Sequence, residues 1–172
     1  MDSSSQEEGE KKKVNEVKTF PVPFALREIK GNITITMSTP YKPSKEQIIN
    51  QAFKFHSLGN IKEAAKCYKK FIDQGFTDYK VFSNYGVILK NHHKLEEAEL
   101  LYRKAIEIKS DYADAHYNLG NILSGLNKLK EAELSYRKAI EIKPDYADAH
   151  YNLGNILSGL NKLKEAELSY RK

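Results

Sequence analysis

The sequence has 172 residues, and 40% of them are hydrophobic, which is enough to build a buried core. Its 28 basic and 23 acidic residues give a net charge of +5 and are mixed along the whole chain, which argues against nucleic acid as a partner. A single cysteine, Cys67, excludes an intramolecular disulfide, and no segment approaches the ~20 apolar residues that cross a membrane. With no signal peptide at the start of the sequence, we expect a cytoplasmic protein without a membrane partner.

The first 44 residues are predicted to form a disordered or partly extended tail. Residues 1–19 are polar and charged and contain the runs SSS and KKK. Residues 20–44 contain the apolar run FPVPFAL and a short alternating stretch, but their prolines and their short length argue against a second domain. We therefore expect the helical part of the chain to begin at residue 45.

The rest of the chain repeats itself every 34 residues. Residues 113–138 and residues 147–172 are identical at all 26 positions. The same spacing extends backwards to residue 45, although the first unit is the most divergent. The sequence thus divides into three complete units and a partial fourth. These units are residues 45–78, 79–112, 113–146 and 147–172.

Each unit is predicted to be a hairpin of two helices, because apolar and small residues recur at helical spacing in two blocks. In the third unit, Gly125, Leu126 and Asn127 are predicted to form the turn between the blocks. Pro144 and Asp145 are predicted to end that unit and to cap the next helix, since proline stops a helix and aspartate is a good N-cap. Glutamates of the second helices are expected on solvated faces, because lysines and arginines lie between them. These glutamates include Glu131, Glu133, Glu165 and Glu167.

The pattern resembles the tetratricopeptide repeat family, whose 34-residue units carry small residues at positions 8, 20 and 27. The resemblance covers residues 45–172, and the chain is similar to bacterial proteins with many such repeats. It implies an all-α, right-handed superhelical solenoid of helix hairpins. Position 24 is tyrosine in every unit and is predicted to lie in the core, while the family's tryptophan at position 4 is missing. The small residues are Ala52, Gly86, Gly120 and Gly154, then Ala64, Ala98, Ala132 and Ala166, and finally Ala105 and Ala139.

The resemblance also implies a binding site, because in this family the first helix of each unit lines a concave groove that binds a peptide. The asparagines at groove positions 6 and 9 are similar to the asparagine ladder in the superhelix of O-linked N-acetylglucosamine transferase. An amide both donates and accepts hydrogen bonds, so a row of amides can hold an extended peptide backbone. The candidate peptide-binding residues are Asn50, Asn84, Asn118 and Asn152 at position 6, Asn121 and Asn155 at position 9, and Tyr117 and Tyr151 at position 5.

A second interpretation of the asparagines stays open. Asparagine at position 6 belongs to the common repeat pattern, and near-identical units copy it without any role in binding. Changing Asn84, Asn118 and Asn152 together to alanine would separate the two interpretations. Positions 2 and 12 of the groove add charges and serines, namely Lys80, Lys90, Asp114, Asp148, Ser124 and Ser158.

No motif in the sequence indicates an enzyme, a cofactor or a metal site. A glycine-rich phosphate loop, a His-Glu-x-x-His zinc pattern and a Gly-x-Ser-x-Gly elbow are all missing. His92 and His93 are adjacent but lack further ligands at useful spacing, so a turn is predicted there rather than a metal site. His116 and His150 stand where the family places a large aromatic residue, and they are predicted to be packing residues.

The sequence therefore predicts a scaffold for protein–protein interaction that binds an extended peptide segment of a partner protein. One alternative follows from the family, where such arrays precede glycosyltransferase, sulfotransferase or methyltransferase domains. This chain would then recruit substrate for a larger enzyme that is similar to O-linked N-acetylglucosamine transferase. Another alternative is end-to-end self-association, because the fourth unit holds 26 of 34 positions and leaves an uncapped apolar C-terminal end.

Overall fold

The computed structural model describes residues 43–172, and this part of the chain forms eight α-helices and no β-strand. Each predicted unit contains two consecutive helices, and the all-α fold expected from the repeat is confirmed. The tail predicted for the first 44 residues lies, up to residue 42, outside the described residues. The helices are α1 (Lys45–Ser57), α2 (Ile61–Asp73), α3 (Tyr79–Asn91), α4 (Leu95–Ile108), α5 (Ala113–Gly125), α6 (Leu129–Ile142), α7 (Ala147–Gly159) and α8 (Leu163–Tyr170).

One residue in the left-handed region of backbone conformation ends the first helix of every hairpin. It always stands at repeat position 15, and its φ lies between 57° and 72°. Glycine and asparagine adopt this conformation at little cost, so the second helix can start two residues later. The turn of the third unit lies where the sequence predicts it, except that Gly125 is still the last residue of α5. The four residues at position 15 are Gly59, His93, Asn127 and Asn161.

The start of α7 shows that the predicted N-cap was wrong. Its N-cap is Tyr146 rather than Asp145, and the tyrosine side chain makes no capping hydrogen bond. The Tyr146 ring instead packs against the ring of Tyr117, with 4.9 Å between the centroids, and Tyr112 is the N-cap of α5 at the same repeat position. In the first unit Asp78 stands at the equivalent position, and its carboxylate does cap α3 by accepting hydrogen bonds from two backbone N–H groups.

The two helices of a hairpin approach closely where a small residue faces a tyrosine. Tyr68, Tyr102 and Tyr136 are buried, as the repeat predicts. A Cβ atom added at Gly120 would lie 2.6 Å from the Tyr136 ring, which is too close for any side chain, so glycine is required there. Tyr170 occupies the same position in the fourth unit but is 47% exposed, because no later hairpin covers α8 in the described part of the chain.

A buried carboxylate links α6 to α8 and corrects a second prediction. Glu133, which the sequence places on a solvated face, is buried. Lys162 donates to both of its oxygens, at 2.8 and 2.9 Å, and Arg137 donates to it at 3.0 Å. Burial by itself would raise the pKa of Glu133, but the hydrogen bonds and charges of these two cations hold that pKa below its ordinary value. The glutamates that are exposed as expected are Glu131, Glu165 and Glu167.

The same arrangement occurs one repeat earlier and links α4 to α6. Glu99 accepts hydrogen bonds from Arg103 and from Lys128, both at 2.8 Å. The hydrogen bond from Lys128 lowers the pKa of Glu99 against the opposing effect of burial. Arg103 also reaches Glu131 of the following second helix at 2.8 Å. We call each set of Glu, Arg and Lys an inter-repeat clamp.

The apolar core of the described residues falls into two clusters. The first cluster surrounds α1 and α2 and is closed by Val81 and Ile88 from α3. The second cluster runs from Phe82 in α3 to Ala166 in α8. Helix α3 therefore contributes to both clusters and joins them. Of the helices that the structure describes, none combines the length and the hydropathy that crossing a membrane requires.

Candidate functional site

The candidate residues lie on one face of the first helix of each hairpin, which is α1, α3, α5 or α7. At about 100° per residue, repeat positions 2, 5, 6, 9, 12 and 13 fall within an arc of about 120° around the helix. The residue at position 2 is exposed in all four units. We call the surface formed by these positions the first-helix face. On α5 the opposite side is buried and consists of Ala115, Leu119, Gly120, Ile122 and Leu123.

A network of amides and tyrosines crosses from α5 to α7 on the first-helix face. Asn152 Nδ2 donates to Asn121 Oδ1 at 2.9 Å, and it lies 3.4 Å from the Tyr117 hydroxyl. The Tyr136 hydroxyl donates to the same Asn121 oxygen at 2.8 Å. The structure thus brings three of the candidate residues, Asn121, Asn152 and Tyr117, together at one junction between units.

Two other candidate asparagines make weaker or purely local contacts. Asn84 Nδ2 lies 3.4 Å from the Tyr68 hydroxyl, which also lies 2.9 Å from Nδ1 of His56. Asn118 Nδ2 donates to the backbone carbonyl of Asp114, one turn earlier in its own helix, at 2.9 Å. Asn84 therefore links the first two units, whereas Asn118 is held by its own helix.

The remaining candidate asparagines, Asn50 and Asn155, are exposed. Asn155 Oδ1 accepts a hydrogen bond from the Tyr170 hydroxyl at 2.8 Å. Its Nδ2 group has no partner within residues 43–172 and faces solvent. The six asparagines share one face but do not form a continuous hydrogen-bonded ladder. Among these asparagines, hydrogen bonds between units occur from α7 to α5 and, more weakly, from α3 to α2.

The two candidate tyrosines differ in exposure. Tyr117 lies between the ring of Tyr136, at 6.1 Å, and the ring of Tyr146, at 4.9 Å. Tyr151 packs against Tyr170 at 5.9 Å and is 62% exposed. An exposed aromatic ring on a polar surface offers a partner a large contact area at low cost in side-chain entropy. Tyr151 is therefore the accessible aromatic group of this face, and Tyr117 supports the network behind it.

Tyr146 is a further member of this surface that the helical spacing does not point to, because it precedes α7. Its hydroxyl lies 3.1 Å from Asp114 Oδ1. Burial raises the pKa of Tyr146 and the Asp114 carboxylate raises it further, so the hydroxyl stays protonated and donates. The sequence signal that could have found it is the tyrosine at position 34 of two successive units, Tyr112 and Tyr146.

The charge of the first-helix face changes sign along the array. Helix α3 contributes Lys80, which is exposed, and Lys90, which is half-buried. Helices α5 and α7 contribute Asp114 and Asp148, both exposed. None of these four side chains forms an ion pair with another described residue. The surface therefore presents ammonium groups at the second unit and carboxylates at the third and fourth.

Two histidines beside the site tie helices to loops. His150 Nε2 donates to the backbone carbonyl of Pro144 at 2.9 Å, and His116 makes the same contact one repeat earlier, also at 2.9 Å. His150 is buried and His116 is half-buried. Over the residues that the structure describes, no three His, Cys, Asp or Glu side chains come together as a metal site.

One tyrosine interrupts the network. The Tyr102 hydroxyl is buried and has no hydrogen-bond partner among the described residues. Its counterparts Tyr136 and Tyr170 donate to an asparagine at position 9, but position 9 of the second unit is Val87. Burial raises the pKa of Tyr102, since ionisation would leave a charge without solvent. The network of amides and tyrosines is therefore incomplete in the second unit.

Comparison with known proteins supports the repeat assignment. Residues 93–126 and 121–161 match the family model of the TPR repeat, the tetratricopeptide repeat. No curated protein matches the sequence. Three solved structures with similar folds are relevant here, and at their levels of identity the likeness shows the fold alone.

The first is MamA, with 24% identity, a TM-score of 0.69, and 74% of both chains covered. The second is YrrB, described as a TPR protein with an unusual peptide-binding site, with 21% identity, a TM-score of 0.67, and 73% of this chain and 65% of YrrB covered. The third is the first TPR of Spaghetti (RPAP3), bound to the HSP90 peptide SRMEEVD, with 24% identity, a TM-score of 0.62, and 68% of this chain and 93% of the other covered. The helix pairs therefore form a TPR-like solenoid.

Proposed function

Because this chain belongs to the tetratricopeptide repeat family, we propose that it is a protein-interaction scaffold whose first-helix face binds an extended peptide segment of another protein. The observation that carries the proposal is the surface of α7, where Tyr151 is 62% exposed and lies beside the exposed amide of Asn155. An exposed aromatic ring next to free hydrogen-bonding groups is the composition of a peptide-binding surface.

Two of the similar structures support this proposal. YrrB is described as having a peptide-binding site, and the Spaghetti domain is bound to a peptide. In this chain the hydrogen bond from Asn152 to Asn121 fixes the positions of α5 and α7, so the groups around Tyr151 are held in place before a ligand arrives. Preorganised groups of this kind favour binding, because less side-chain entropy is lost.

The contacts also show which variants test the proposal best. Asn152→Ala removes the hydrogen bond between α5 and α7, so a loss of binding in that variant would mix structural and binding effects. Tyr151→Ala removes an exposed ring whose aromatic contact is with Tyr170 of the last helix, α8. Leu168→Ala is a matched control, since Leu168 is also 62% exposed but lies on α8, outside the first-helix face.

The experiment selects ligands from a displayed library of random linear peptides and measures their affinity by fluorescence anisotropy. We expect Tyr151→Ala to weaken binding by about tenfold and Leu168→Ala to leave it unchanged. Circular dichroism should show the same helix content for both variants. The reverse result, with binding lost in Leu168→Ala and kept in Tyr151→Ala, would place the site on the second helices and reject the proposal.

A further inference from the structure

We infer that the peptide site is divided by charge, and that its partner segment carries one acidic residue facing α3 and two basic residues facing α5 and α7, spaced three residues apart. This inference rests on the proposed function and adds to it the chemistry of the partner. It follows from the unpaired charges of the first-helix face, the exposed ring of Tyr151 and the identity of the third and fourth units.

The second unit forms the part of the site that attracts an anion. Lys80 and Lys90 stand at positions 2 and 12 of α3, at the two ends of its first-helix face. Lys80 Nζ lies 5.8 Å from the ring centroid of Tyr79. Neither lysine has a carboxylate partner among the described residues, although Asp78 is close in sequence, because Asp78 is engaged in capping α3. A partner carboxylate would therefore meet an unneutralised ammonium group at either end of this face.

The fourth unit forms a site that attracts a cation. Asp148 and Tyr151 are three residues apart on α7, so they are neighbours on the helix surface. Both are exposed, and Asp148 has no cationic partner in the described part of the chain. A lysine or arginine side chain placed there would contact a carboxylate and the face of an aromatic ring together, which is a favourable environment for a cation.

The third unit repeats this arrangement. Asp114 stands where Asp148 stands in the next unit, and Tyr117 stands where Tyr151 does. This subsite also includes the ring of Tyr146. The Nζ of Lys143 already lies 4.6 Å from the centroid of that ring. Tyr146 donates to one oxygen of Asp114 and leaves the second oxygen for a ligand. Two cation subsites of the same residue types therefore follow one another along the array, and the aromatic ring is the more exposed in the fourth unit.

The distance between units sets the spacing of the partner's side chains. Helices α5 and α7 touch directly through Asn121 and Asn152, and helices in contact lie about 8–10 Å apart. A polyproline II segment rises about 9 Å in three residues and returns to the same side after each turn of three. One partner side chain in every three can therefore face each unit. The expected pattern is acid-x-x-base-x-x-base, in either chain direction.

The test uses three synthetic peptides of equal composition and the complete chain. One peptide has the sequence Glu-Pro-Ala-Lys-Pro-Ala-Lys, the second is its reverse, and the third places the glutamate between the lysines. We expect one of the first two to bind about tenfold tighter than the third, with a preference that fades as salt rises. The paired variant Asp114→Lys with Asp148→Lys should abolish this preference, and so should Lys80→Glu with Lys90→Glu. All four substituted positions are solvent-accessible, so the fold should be retained.

The outcomes separate this inference from the proposed function. Equal binding of all three peptides, or no binding of any of them, would overturn the charge pattern. A preference that survives both paired variants would overturn it as well. In each of those cases the proposed function is decided independently, by whether Tyr151→Ala weakens the binding of library-selected peptides. Loss of that effect would reject the site itself rather than its charge pattern.

Discussion

The junction between the first two hairpins and the two later junctions are built differently. At each later junction an inter-repeat clamp joins one second helix to the next, around Glu99 or Glu133. At the first junction Ala65 stands at the corresponding position. Lys94, the counterpart of Lys128, pairs instead with Glu97 of its own helix at 2.7 Å. The first hairpin is therefore joined to the second without a clamp.

At the first junction, apolar side chains join the two hairpins. Phe71 of α2 belongs to the same core cluster as Val81 and Ile88 of α3, whereas the remaining buried residues of α3 belong mainly to the other cluster. The stability of a repeat array is approximately the sum of the units and the interfaces between neighbours. An interface that lacks the clamp contributes less, so we expect the first hairpin to separate from the array before the later ones do. Repeats that look alike in sequence can thus be coupled to different degrees.

The largest effect is expected from breaking the packing of the third hairpin. Gly120→Ala places a methyl group 2.6 Å from the ring of Tyr136, which is buried and cannot move aside. We expect a loss of about 2–3 kcal/mol in the free energy of unfolding, measured by urea denaturation with circular dichroism. Gly154→Ala is the matched control, because its methyl group meets Tyr170, whose ring is 47% exposed and can rotate away. Equal losses in the two variants would contradict this explanation.

The next effect concerns the clamp itself. Glu133→Gln keeps the shape of the side chain but removes the negative charge that Lys162 and Arg137 contact. We expect a loss of about 1–2 kcal/mol at neutral pH, because buried hydrogen bonds to a charged group are stronger than neutral ones. Urea denaturation at neutral pH measures it. A loss below the error of the measurement would show that the ion pairs of the clamp make no net contribution to stability.

The same variant has a defined pH dependence. The pKa of Glu133 in the folded chain is below the ordinary carboxyl value of 4.5. Its contribution to stability is therefore fully present above that ordinary value and is lost as the pH falls through the lower pKa of the folded state. Urea midpoints of the original chain and of Glu133→Gln should converge as the pH is lowered through this range. A difference that stays constant with pH would mean that the carboxylate charge is not responsible.

A smaller effect is expected from the tyrosine hydroxyls. Tyr136→Phe removes the hydrogen bond to Asn121 and should cost about 1 kcal/mol in the free energy of unfolding. Tyr102→Phe removes a buried hydroxyl that has no partner in the described residues, so it should be neutral or stabilising. Val87→Asn, which offers Tyr102 the missing partner, is a third variant for the same denaturation series. Equal costs for the two Phe variants would show that Tyr102 has an unseen partner.

The smallest effect is expected from adding a clamp where the chain lacks one. Ala65→Glu places a carboxylate four residues before Lys69 and near the counterpart of Lys128, which is Lys94. Both lysines are exposed, so the gain should be no more than about 0.5 kcal/mol. Hydrogen exchange followed by mass spectrometry should show slower exchange in α1 and α2, because the first hairpin is held more tightly. Faster exchange would contradict the comparison of the junctions.

The helices and their turns could be predicted from the sequence, because the residues that specify them act locally. A period of 34, apolar residues at helical spacing, and a position 15 that is glycine or asparagine in three of the four units are enough to define the hairpins. The first turn of α7 could not be predicted in the same way. Asp145 is the better N-cap by residue type, yet α7 begins after Tyr146, at the same repeat position that precedes α3 and α5.

The candidate site was predictable as a row of residues but not as a set of contacts. Helical spacing puts Asn121 and Asn152 on the same face of their helices, and the similarity of the units makes this certain for both. Whether the two amides meet depends on how α7 packs on α5, which no local property of either helix specifies. For the same reason the sequence could not show that Asn118 bonds to its own helix while Asn152 bonds across units.

The sequence by itself determines that this protein is an array of helix pairs with a row of asparagines and tyrosines on one face, since periodicity and turn residues encode both. Only the tertiary structure decides that Glu133 is buried in a clamp, that Tyr102 lacks a partner, and that Tyr151 stays exposed. The physical reason is distance along the chain. Lys162 lies 29 residues from Glu133, and the free energy of bringing such groups together depends on the packing of whole hairpins.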